Sequence, residues 1–389
     1  MTSLLNALLA VSFLVLGILL VQILISARRY QISAKNLQKI TNLDDTPTVS
    51  LCIPARNETH ALADCLSAAI GSDYPKLEII VLDDCSQDQT SQIIRGFAHD
   101  GVRFIKGEAP SDGWLGKNNA YKALLDQAKG DYLVFMSVDT RIGVESISQL
   151  IGYMRLKKLS MASVLPRRED SFAISAILAP LRYFWQVATP LRFNVPVATS
   201  LWAIRADKVG DQFDAHKNNI DIENRLAAHF VLRDVYHFLI ANSVMQISYA
   251  KHWQSQVDTS IRLWYPTLKK SYIVGLVVIL IHFVMFVLPM VILIDALAST
   301  GPGSGYIRET HVLALVVYFM SSLVYLMYFR YVKKINTAKD TAMLVLAAFV
   351  MPILAIQEIA LIVTSFYQYK RGRVDWKGRN ICYPVLKRY

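Results

Sequence analysis

Residues 130–140 read GDYLVFMSVDT, and this stretch predicts the fold of the chain around it. The run Tyr132–Met136 is short, apolar and preceded by turn-forming residues, which is typical of a buried strand. Asp139 lies just past the carboxyl end of that strand, where open α/β sheets bind their ligands. An acid in this position can also form a turn or cap a helix, so its neighbours decide the interpretation.

Three further strands are expected before this one, at residues 46–54, 76–82 and 102–106. Helical spacing of apolar residues separates them at 59–71, 90–98 and 117–128. This alternation predicts an α/β fold with a doubly wound, mostly parallel sheet, of the Rossmann-like type. Asp83 and Asp84 end the second strand as Asp139 ends the fourth. Acids at one edge of the sheet favour a functional site over independent turn formers.

The chain has 389 residues, of which 53% are hydrophobic, more than is typical of a soluble enzyme. Apolar residues concentrate at 4–25, 273–294, 312–328 and, less cleanly, 342–367. A helix of about 20 apolar residues spans a bilayer core of about 30 Å. We therefore predict a transmembrane anchor at residues 1–29, a cytosolic domain at 30–268, and about three membrane helices with a basic tail at 269–389.

The formal net charge of +11 arises from Lys and Arg clustered at the edges of the apolar segments. Such clustering indicates membrane orientation and attraction to anionic lipids, and we expect no nucleic-acid partner. Arg28 and Arg29 place the domain that follows them in the cytoplasm, in a multi-pass protein of the cell membrane. The four cysteines show no CxxC spacing, which favours reduced, buried thiols.

Four motifs occur in an order and spacing that resemble a family-2 glycosyltransferase of the GT-A type. They are VSLCIPARNE (49–58), DYPKLEIIVLDDCSQDQT (73–90), GWLGKNNA (113–120) and SVDT (137–140). The membrane layout is similar to that of the ceramide, hopanoid and carotenoid-type lipid glycosyltransferases. The resemblance implies inverting transfer of a single sugar from a nucleotide-sugar donor, with a UDP-sugar favoured, to a membrane lipid acceptor.

The resemblance also implies a nucleotide-sugar pocket at the strand ends. Pro54, Arg56 and Glu58 line the base and ribose, and Asp84 accepts a hydrogen bond from the base, a task that suits an acceptor-only carboxylate. Lys117 reaches the diphosphate as a point charge. The alternative for the acidic pair ending the second strand is a turn or cap, and for Lys117 a solvated helix start.

By the same resemblance, Asp139 binds Mn²⁺ or Mg²⁺ bridging the diphosphate, because these ions prefer oxygen ligands and phosphate. Ser137 stands where the usual Asp-x-Asp motif has its first acid. Ser137 and Val138 are assigned to the nucleotide-sugar path beside the metal ligand.

The family supplies a general base from an acidic motif at a helix start, and IDIENRLA (220–227) is the segment that matches. Asp221 and Glu223 are its two acids, and we assign the catalytic role to them jointly. The alternative is a helix N-terminus whose acids favour the macrodipole. Arg262 and Trp264, in SIRLW, match the basic element that steadies the leaving diphosphate, although Arg262 can equally anchor the chain at the membrane edge.

A different class of function stays open, because Ser137 and the uncertain acidic motif are also compatible with a degenerate GT-A domain that binds a nucleotide-sugar or a membrane partner without catalysis. A polysaccharide synthase is disfavoured by the lack of a strict Q-x-x-R-W motif. The last apolar segment carries Pro352 and Glu358, which suggests a broken or re-entrant helix. Such a segment would return VDWKGRN (374–380), similar to the family's terminal W-x-G-R element, to the cytosolic face.

Overall fold

A computed structural model describes residues 2–30, 46–169, 179–188, 195–299, 309–333 and 337–386. The chain divides into two compact units. A helical unit comprises residues 1–28, 170–194 and 251–373, and a globular unit comprises residues 29–169, 195–250 and 374–389. The domain limits expected from the sequence stay a prediction.

The strands all belong to the globular unit. They are β1 (Val49–Ala55), β2 (Leu77–Asp83), β3 (Val102–Lys106), β4 (Tyr132–Met136), β5 (Thr140–Arg141), β6 (Met161–Leu165), β7 (Arg167–Arg168), β8 (Leu201–Arg205), β9 (Tyr236–Ile240), β10 (Ser248–Tyr249), β11 (Asp375–Trp376) and β12 (Arg379–Asn380).

The main sheet has seven strands in the order β3-β2-β1-β4-β8-β6-β9. Its first four strands are parallel, β8 runs antiparallel to both of its neighbours, and β9 is parallel to β6. A doubly wound, mostly parallel sheet is thus confirmed. Because β1, β2 and β4 are parallel neighbours, their carboxyl ends meet at one edge, and the motifs following them are brought together.

The helices are α1 (Thr2–Tyr30), α2 (Leu62–Ile70), α3 (Thr90–Gly96), α4 (Gly116–Gln127), α5 (Ser146–Leu156), α6 (Arg182–Ala188), α7 (Gln212–Ala215), α8 (Ile222–Val231), α9 (Trp253–Thr267), α10 (Tyr272–His282), α11 (Leu288–Ser299), α12 (Glu309–Val332), α13 (Ala338–Phe349), α14 (Met351–Lys370) and α15 (Cys382–Leu386). A π-helical turn, Phe283–Val287, joins α10 to α11.

Aromatic packing buries one face of the central strand, and Tyr132, Val134 and Met136 belong to the apolar core on the other face. Phe135 of β4 stacks on Trp202 of β8, with ring centroids 4.3 Å apart and planes at 16°. Tyr121 of α4 meets both rings edge-on, at 4.9 and 5.6 Å. All five residues of β4 are buried, and rings of this size contribute much of the core's apolar burial. The opening of the GDYLVFMSVDT stretch is thereby fixed in the sheet.

The turn before β4 is tied directly to β1. Gly130 donates its N–H to Ser50 Oγ at 2.8 Å, and the Asp131 carboxylate accepts from the Thr48 N–H and hydroxyl, both at 2.8 Å. A Cβ at position 130 would lie 2.8 Å from the Val49 carbonyl carbon, a distance that backbone atoms cannot relieve without shifting. Only glycine fits this approach.

A Gly130→Ala variant is therefore expected to lose about 1–3 kcal/mol of stability through overpacking. The measurement is the thermal unfolding midpoint in detergent, with Gly71→Ala as the matched control. Gly71 has φ −66°, and a new Cβ there would lie in ordinary contact, 3.5 Å from the Ser67 carbonyl oxygen and 3.6 Å from that of Ala68. Equal midpoints for the two variants would contradict the close approach of Gly130 to β1.

Four helical segments are long and apolar enough to cross a membrane, judged by length and composition among the described residues. They are Thr2–Tyr30, Tyr272–Ala298, Glu309–Val332 and Met351–Lys370. Three of the apolar segments predicted from the sequence lie within single members of this set. The chain is thus a membrane protein by these criteria.

The fourth predicted segment, residues 342–367, is divided between α13 and α14. The break is at Val350, and Pro352 lies in the first turn of α14, where its missing N–H is tolerated. Tyr318 of α12 donates its hydroxyl to the Phe349 carbonyl at 3.2 Å, and the Phe366 ring lies 5.2 Å from that of Tyr272. The α14 helix therefore starts beside the middle of α12 and ends beside the start of α10.

Candidate nucleotide-sugar site

The loops after β1 and β2 are held together by the guanidinium of Arg56. Its Nη1 donates to the carbonyls of Asp84 and Cys85, at 2.5 and 2.9 Å, and its Nε donates to the Lys377 carbonyl at 3.0 Å. The side chain is buried. Arg56 was predicted to line the pocket beside Pro54, which lies within β1 in register with Leu82. The structure shows Arg56 fixing the backbone of the pocket's two loops.

Asp84 lies at the carboxyl end of β2 and is 1% exposed. Its Oδ2 accepts a hydrogen bond from Arg379 Nη1 at 2.5 Å. Its Oδ1 is buried and accepts no hydrogen bond from any residue that the structure describes. Burial raises the pKa of this carboxyl above its ordinary value, while Arg379 opposes the shift. A buried acceptor without a partner is costly in a folded protein, so this atom suits an N–H donor from a ligand.

Three side chains at the same edge of the sheet could hold a metal ion. Carboxylate oxygens of Glu58 and Asp139 and a ring nitrogen of His60 all lie within 4.8 Å of one another. Glu58 also forms an ion pair with Lys377. Burial is the main cause that raises the pKa of Glu58, and the Asp139 charge adds to it, whereas Lys377 lowers it.

Asp139 occupies the turn between β4 and β5. The Ser137 N–H donates to the Ser200 carbonyl, and the Thr140 N–H donates to the Ser137 carbonyl, both at 2.9 Å. Val138 is buried, and its carbonyl accepts from Arg141 Nη1 at 2.7 Å. These hydrogen bonds to backbone carbonyls fix the SVDT turn. The position of Asp139 therefore does not depend on an acid at position 137, where the Asp-x-Asp motif has its first aspartate.

The predicted catalytic acids differ in their surroundings. Glu223, in the first turn of α8, has a side chain that is 0% exposed, pairs with Lys117 and accepts from the Tyr121 hydroxyl at 3.0 Å. Asp221 precedes the helix, and its side chain is 41% exposed, with an oxygen 3.9 Å from Arg225. Lys117, predicted to reach the diphosphate, is therefore joined to Glu223, and the structure brings two predicted site residues into one ion pair.

Residues 50–189 match the family model described as glycosyl transferase family 2. They form a family-2 glycosyltransferase domain. The chain is 32% identical over 117 residues to "Probable glycosyltransferase YdaM" of Bacillus subtilis, covering 29% of this chain and 28% of that protein. It is 29% identical over 143 residues to the 4,4'-diaponeurosporenoate glycosyltransferase of Staphylococcus haemolyticus, covering 36% of each. The chain thus matches about a third of the length of these relatives.

The solved structure of a mannosyltransferase from Pyrobaculum calidifontis, in complex with GDP-mannose and Mn²⁺, matches 94% of this chain and 98% of its own. The TM-score is 0.52 at 13% sequence identity. At this identity the likeness supports the fold alone, and it agrees with the GT-A class expected for the glycosyltransferase domain.

The donor set near β4 fits a divalent ion. Oxygens of Asp139 and Glu58 with a nitrogen of His60 are ligand types that Mn²⁺ accepts. Mg²⁺ is served mainly by the carboxylates and substrate phosphate. Glu58 also pairs with Lys377, so a bound ion would share this carboxylate with the lysine.

Two predicted residues lie outside the globular unit. Arg262 and Trp264 belong to α9 of the helical unit. The Arg262 carbonyl accepts from the Tyr369 hydroxyl at 2.8 Å, and Trp264 Nε1 donates to Glu358 at 3.0 Å. Glu358 also accepts from the Leu181 N–H at 2.6 Å. These bonds connect α9 and α14 within the helical unit, and they give Trp264 a defined partner.

The structure brings three residues to the candidate site that sequence reasoning did not assign to it: His60, Lys377 and Arg379. His60 is two residues beyond a predicted pocket residue, and its spacing from Glu58 was the available signal. Lys377 and Arg379 lie in VDWKGRN (374–380), which is similar to the family's terminal W-x-G-R element, although sequence reasoning assigned these residues no role in the site.

Proposed function

We propose that this chain is an inverting glycosyltransferase that moves a single sugar from a nucleotide-sugar donor, with a UDP-sugar favoured, to a membrane lipid acceptor. The observation that carries the proposal is the pairing of two features at one sheet edge. Asp84 offers a buried acceptor without a hydrogen-bond partner among the described residues, and Glu58, His60 and Asp139 form a divalent-ion donor set. The Asp84 oxygen suits an N–H of the nucleobase, and the donor set suits a divalent ion bound to the diphosphate.

The chain's own residues divide the reaction between them. The acceptor hydroxyl loses its proton to the Asp221 carboxylate as its oxygen attacks the anomeric carbon. The bond from that carbon to the diphosphate oxygen breaks, and the electron pair leaves with the nucleoside diphosphate. A divalent ion held by Asp139 and His60 supplies charge stabilisation to the leaving group when it is bound. A single displacement inverts the anomeric configuration.

Asp221 is the better base of the two predicted acids because of its exposure. A general base must reach the hydroxyl proton within hydrogen-bond distance, and the Asp221 side chain is 41% exposed. Glu223 is buried and shares its charge with Lys117. We assign Glu223 the role of holding α4 and α8 together behind the site.

The helical unit supports a lipid acceptor. Four segments meet the length and composition of membrane spans, and a domain attached to them meets acceptors dissolved in the bilayer. The matched relative from Staphylococcus haemolyticus is named a 4,4'-diaponeurosporenoate glycosyltransferase. That name supports an apolar acceptor for this chain as well.

The deciding experiment is sugar transfer by detergent-purified protein to a total lipid extract, with UDP-, GDP- and dTDP-sugars in turn. The expected result is nucleoside diphosphate release with one sugar per lipid, stimulated by Mn²⁺ and abolished by EDTA. Donor binding without release would favour a domain that binds nucleotide-sugars without catalysis. A ladder of sugar lengths would instead indicate a polysaccharide synthase.

The break between α13 and α14 supports a re-entrant pair that enters and leaves on the cytoplasmic side. The α13 helix has 12 residues, about 18 Å at 1.5 Å per residue, which is too short to cross a core of about 30 Å. The end of α14 packs beside the start of α10, and both ends are then cytoplasmic.

This topology predicts that Arg371→Cys is protected from a membrane-impermeant maleimide in intact cells and is labelled only after lysis. Thr2→Cys is the matched control at the opposite side and is expected to react in intact cells. Both variants are made in a Cys85→Ser background, because Cys85 is exposed. Labelling of Arg371→Cys in intact cells would reverse the assignment.

A further inference from the structure

Residues 374–380 form a two-stranded hairpin that belongs to the globular unit, although they follow the last apolar helix. We call this segment the terminal hairpin. Its base is closed by the Ile381 N–H, which donates to the Val374 carbonyl at 2.9 Å. Four apolar side chains at its start and just after it are buried, each no more than 4% exposed: Val374, Ile381, Cys382 and Val385.

The terminal hairpin meets the nucleotide site through two cations. Arg379 bonds Asp84 through the carboxylate at 2.5 Å and the carbonyl at 3.4 Å. Lys377 pairs with Glu58 and donates to the Arg56 carbonyl at 2.7 Å. In the opposite direction, Arg56 Nε donates a hydrogen bond to the Lys377 carbonyl. The contacts therefore run in both directions between the hairpin and the loops after β1 and β2.

The hairpin is also seated closely on the start of α4. A Cβ on Gly116 would lie 2.7 Å from Arg379 Nη1 and 3.2 Å from the Trp376 ring. Displacing this end of the chain would also expose its four buried apolar side chains to water, which is unfavourable. The close seating and this burial indicate a fixed part of the site rather than a mobile cover.

We propose that the terminal hairpin is a permanent wall of the donor site and that Arg379 is the positioning residue that orients Asp84 to read an N–H of the nucleobase. Arg379 fills Oδ2, so Oδ1 is the acceptor left for the ligand. This inference rests on the proposed function, since it requires that the site binds a nucleotide.

The chemistry selects bases that present an N–H donor. Uracil carries a proton on N3, whereas cytosine presents a lone pair there, which a carboxylate repels. A guanidinium that holds one carboxylate oxygen in a fixed geometry prevents the other from turning to accept from the cytosine amino group. Arg379 is therefore a determinant of base specificity as well as of affinity.

The test is calorimetric binding of UDP and CDP to the detergent-purified full chain with Mn²⁺, comparing wild type with Arg379→Gln. We expect UDP binding to weaken by about 10- to 100-fold, the range of a lost hydrogen bond to a charged group, and the preference for UDP over CDP to shrink. Arg379→Lys keeps the positive charge but lacks the planar guanidinium, so it should retain part of the UDP affinity. Arg373→Gln, at an exposed basic residue before the hairpin, should bind like wild type.

A pH series separates positioning from general loss of structure. The groups that influence the Asp84 carboxylate are Arg379, Arg56 and Asp83, and burial already raises its pKa. Without Arg379 the pKa of Asp84 rises further. As the pH is lowered, Arg379→Gln should therefore lose UDP affinity at a higher pH than wild type does. Alkaline buffer should restore part of that affinity. Damage to the fold alone would not move the midpoint of this profile.

The outcomes are distinct. Wild-type protein that binds none of UDP, GDP and dTDP overturns the proposed function itself. Wild-type binding of UDP with unchanged affinity, specificity and pH profile in Arg379→Gln and Arg379→Lys overturns the role of Arg379 alone. Tighter UDP binding in either variant would show that the hairpin competes with the donor and does not help it. If Arg379→Gln fails to fold, Arg379→Lys decides the matter.

Discussion

An Asp139→Asn variant is expected to lose about 10³-fold in nucleotide-sugar turnover, equivalent to about 4 kcal/mol of transition-state stabilisation by a metal ion. The amide keeps the size of the side chain but removes the charge that attracts a divalent cation. The fixed SVDT turn, with its backbone bonds at Ser137 and Thr140, should keep the fold intact. The measurement is release of nucleoside diphosphate across a Mn²⁺ titration.

The matched control for this change is Asp64→Asn. Asp64 is an acid on α2 whose side chain is 80% exposed, so its loss should leave turnover and metal response unchanged. A second comparison is His60→Ala, which should raise the Mn²⁺ concentration needed for half-maximal activity. Metal-stimulated turnover that persists in Asp139→Asn would remove Asp139 from the metal site while leaving the enzyme in place.

Substitutions of Asp221 and Glu223 are expected to distinguish a catalytic role for Asp221 from a structural role for Glu223. Asp221→Asn should lower kcat by about 10²- to 10⁴-fold, the usual contribution of a general base, with donor affinity little changed. The Asp221→Asn variant should unfold at the same temperature as wild type, because the Asp221 side chain is partly exposed and its oxygen lies 3.9 Å from Arg225 Nε.

Glu223→Gln should instead act on the fold. Replacing a buried carboxylate that pairs with Lys117 and Tyr121 leaves the lysine without its counter-ion. The loss of stability should be roughly 2 kcal/mol, below the ~3–5 kcal/mol of a fully buried pair, since Lys117 can regain contact with water. Thermal unfolding and kcat are measured on both variants. A stable Glu223→Gln with no kcat, beside an active Asp221→Asn, would assign the base to Glu223.

The four parallel strands β1–β4 could be read from the sequence, whereas β6, β8 and β9 of the main sheet were not among the expected strands. The strands at 102–106 and 132–136 were placed at their observed limits, and β1 and β2 within a few residues of theirs. Strand patterns are readable because burial on both faces leaves continuous apolar runs in parallel sheets. The motifs at the strand ends then followed, since parallel neighbours bring their carboxyl ends to one edge.

The pairings of side chains could not be read in the same way. Lys117 matched the loop expected to bind the diphosphate and Glu223 matched the acidic catalytic motif, and nothing in their local sequence indicates that they pair with one another. Lys377 and Glu58 are 319 residues apart, and a basic residue near an apolar helix is ordinarily a membrane-edge charge. Periodicity reports which residues are buried, but the partner of a charged side chain is determined by tertiary packing.

The terminal hairpin makes the order of synthesis matter for function. Arg379 lies 295 positions after Asp84, and the four described segments that could cross a membrane all precede it. Those segments must therefore be synthesised before the residues that complete the proposed wall of the nucleotide site. By this proposal, a polypeptide interrupted within the membrane region would retain residues 50–189 and would not turn over donor. Completion of the membrane helices and assembly of the donor site would thus be coupled.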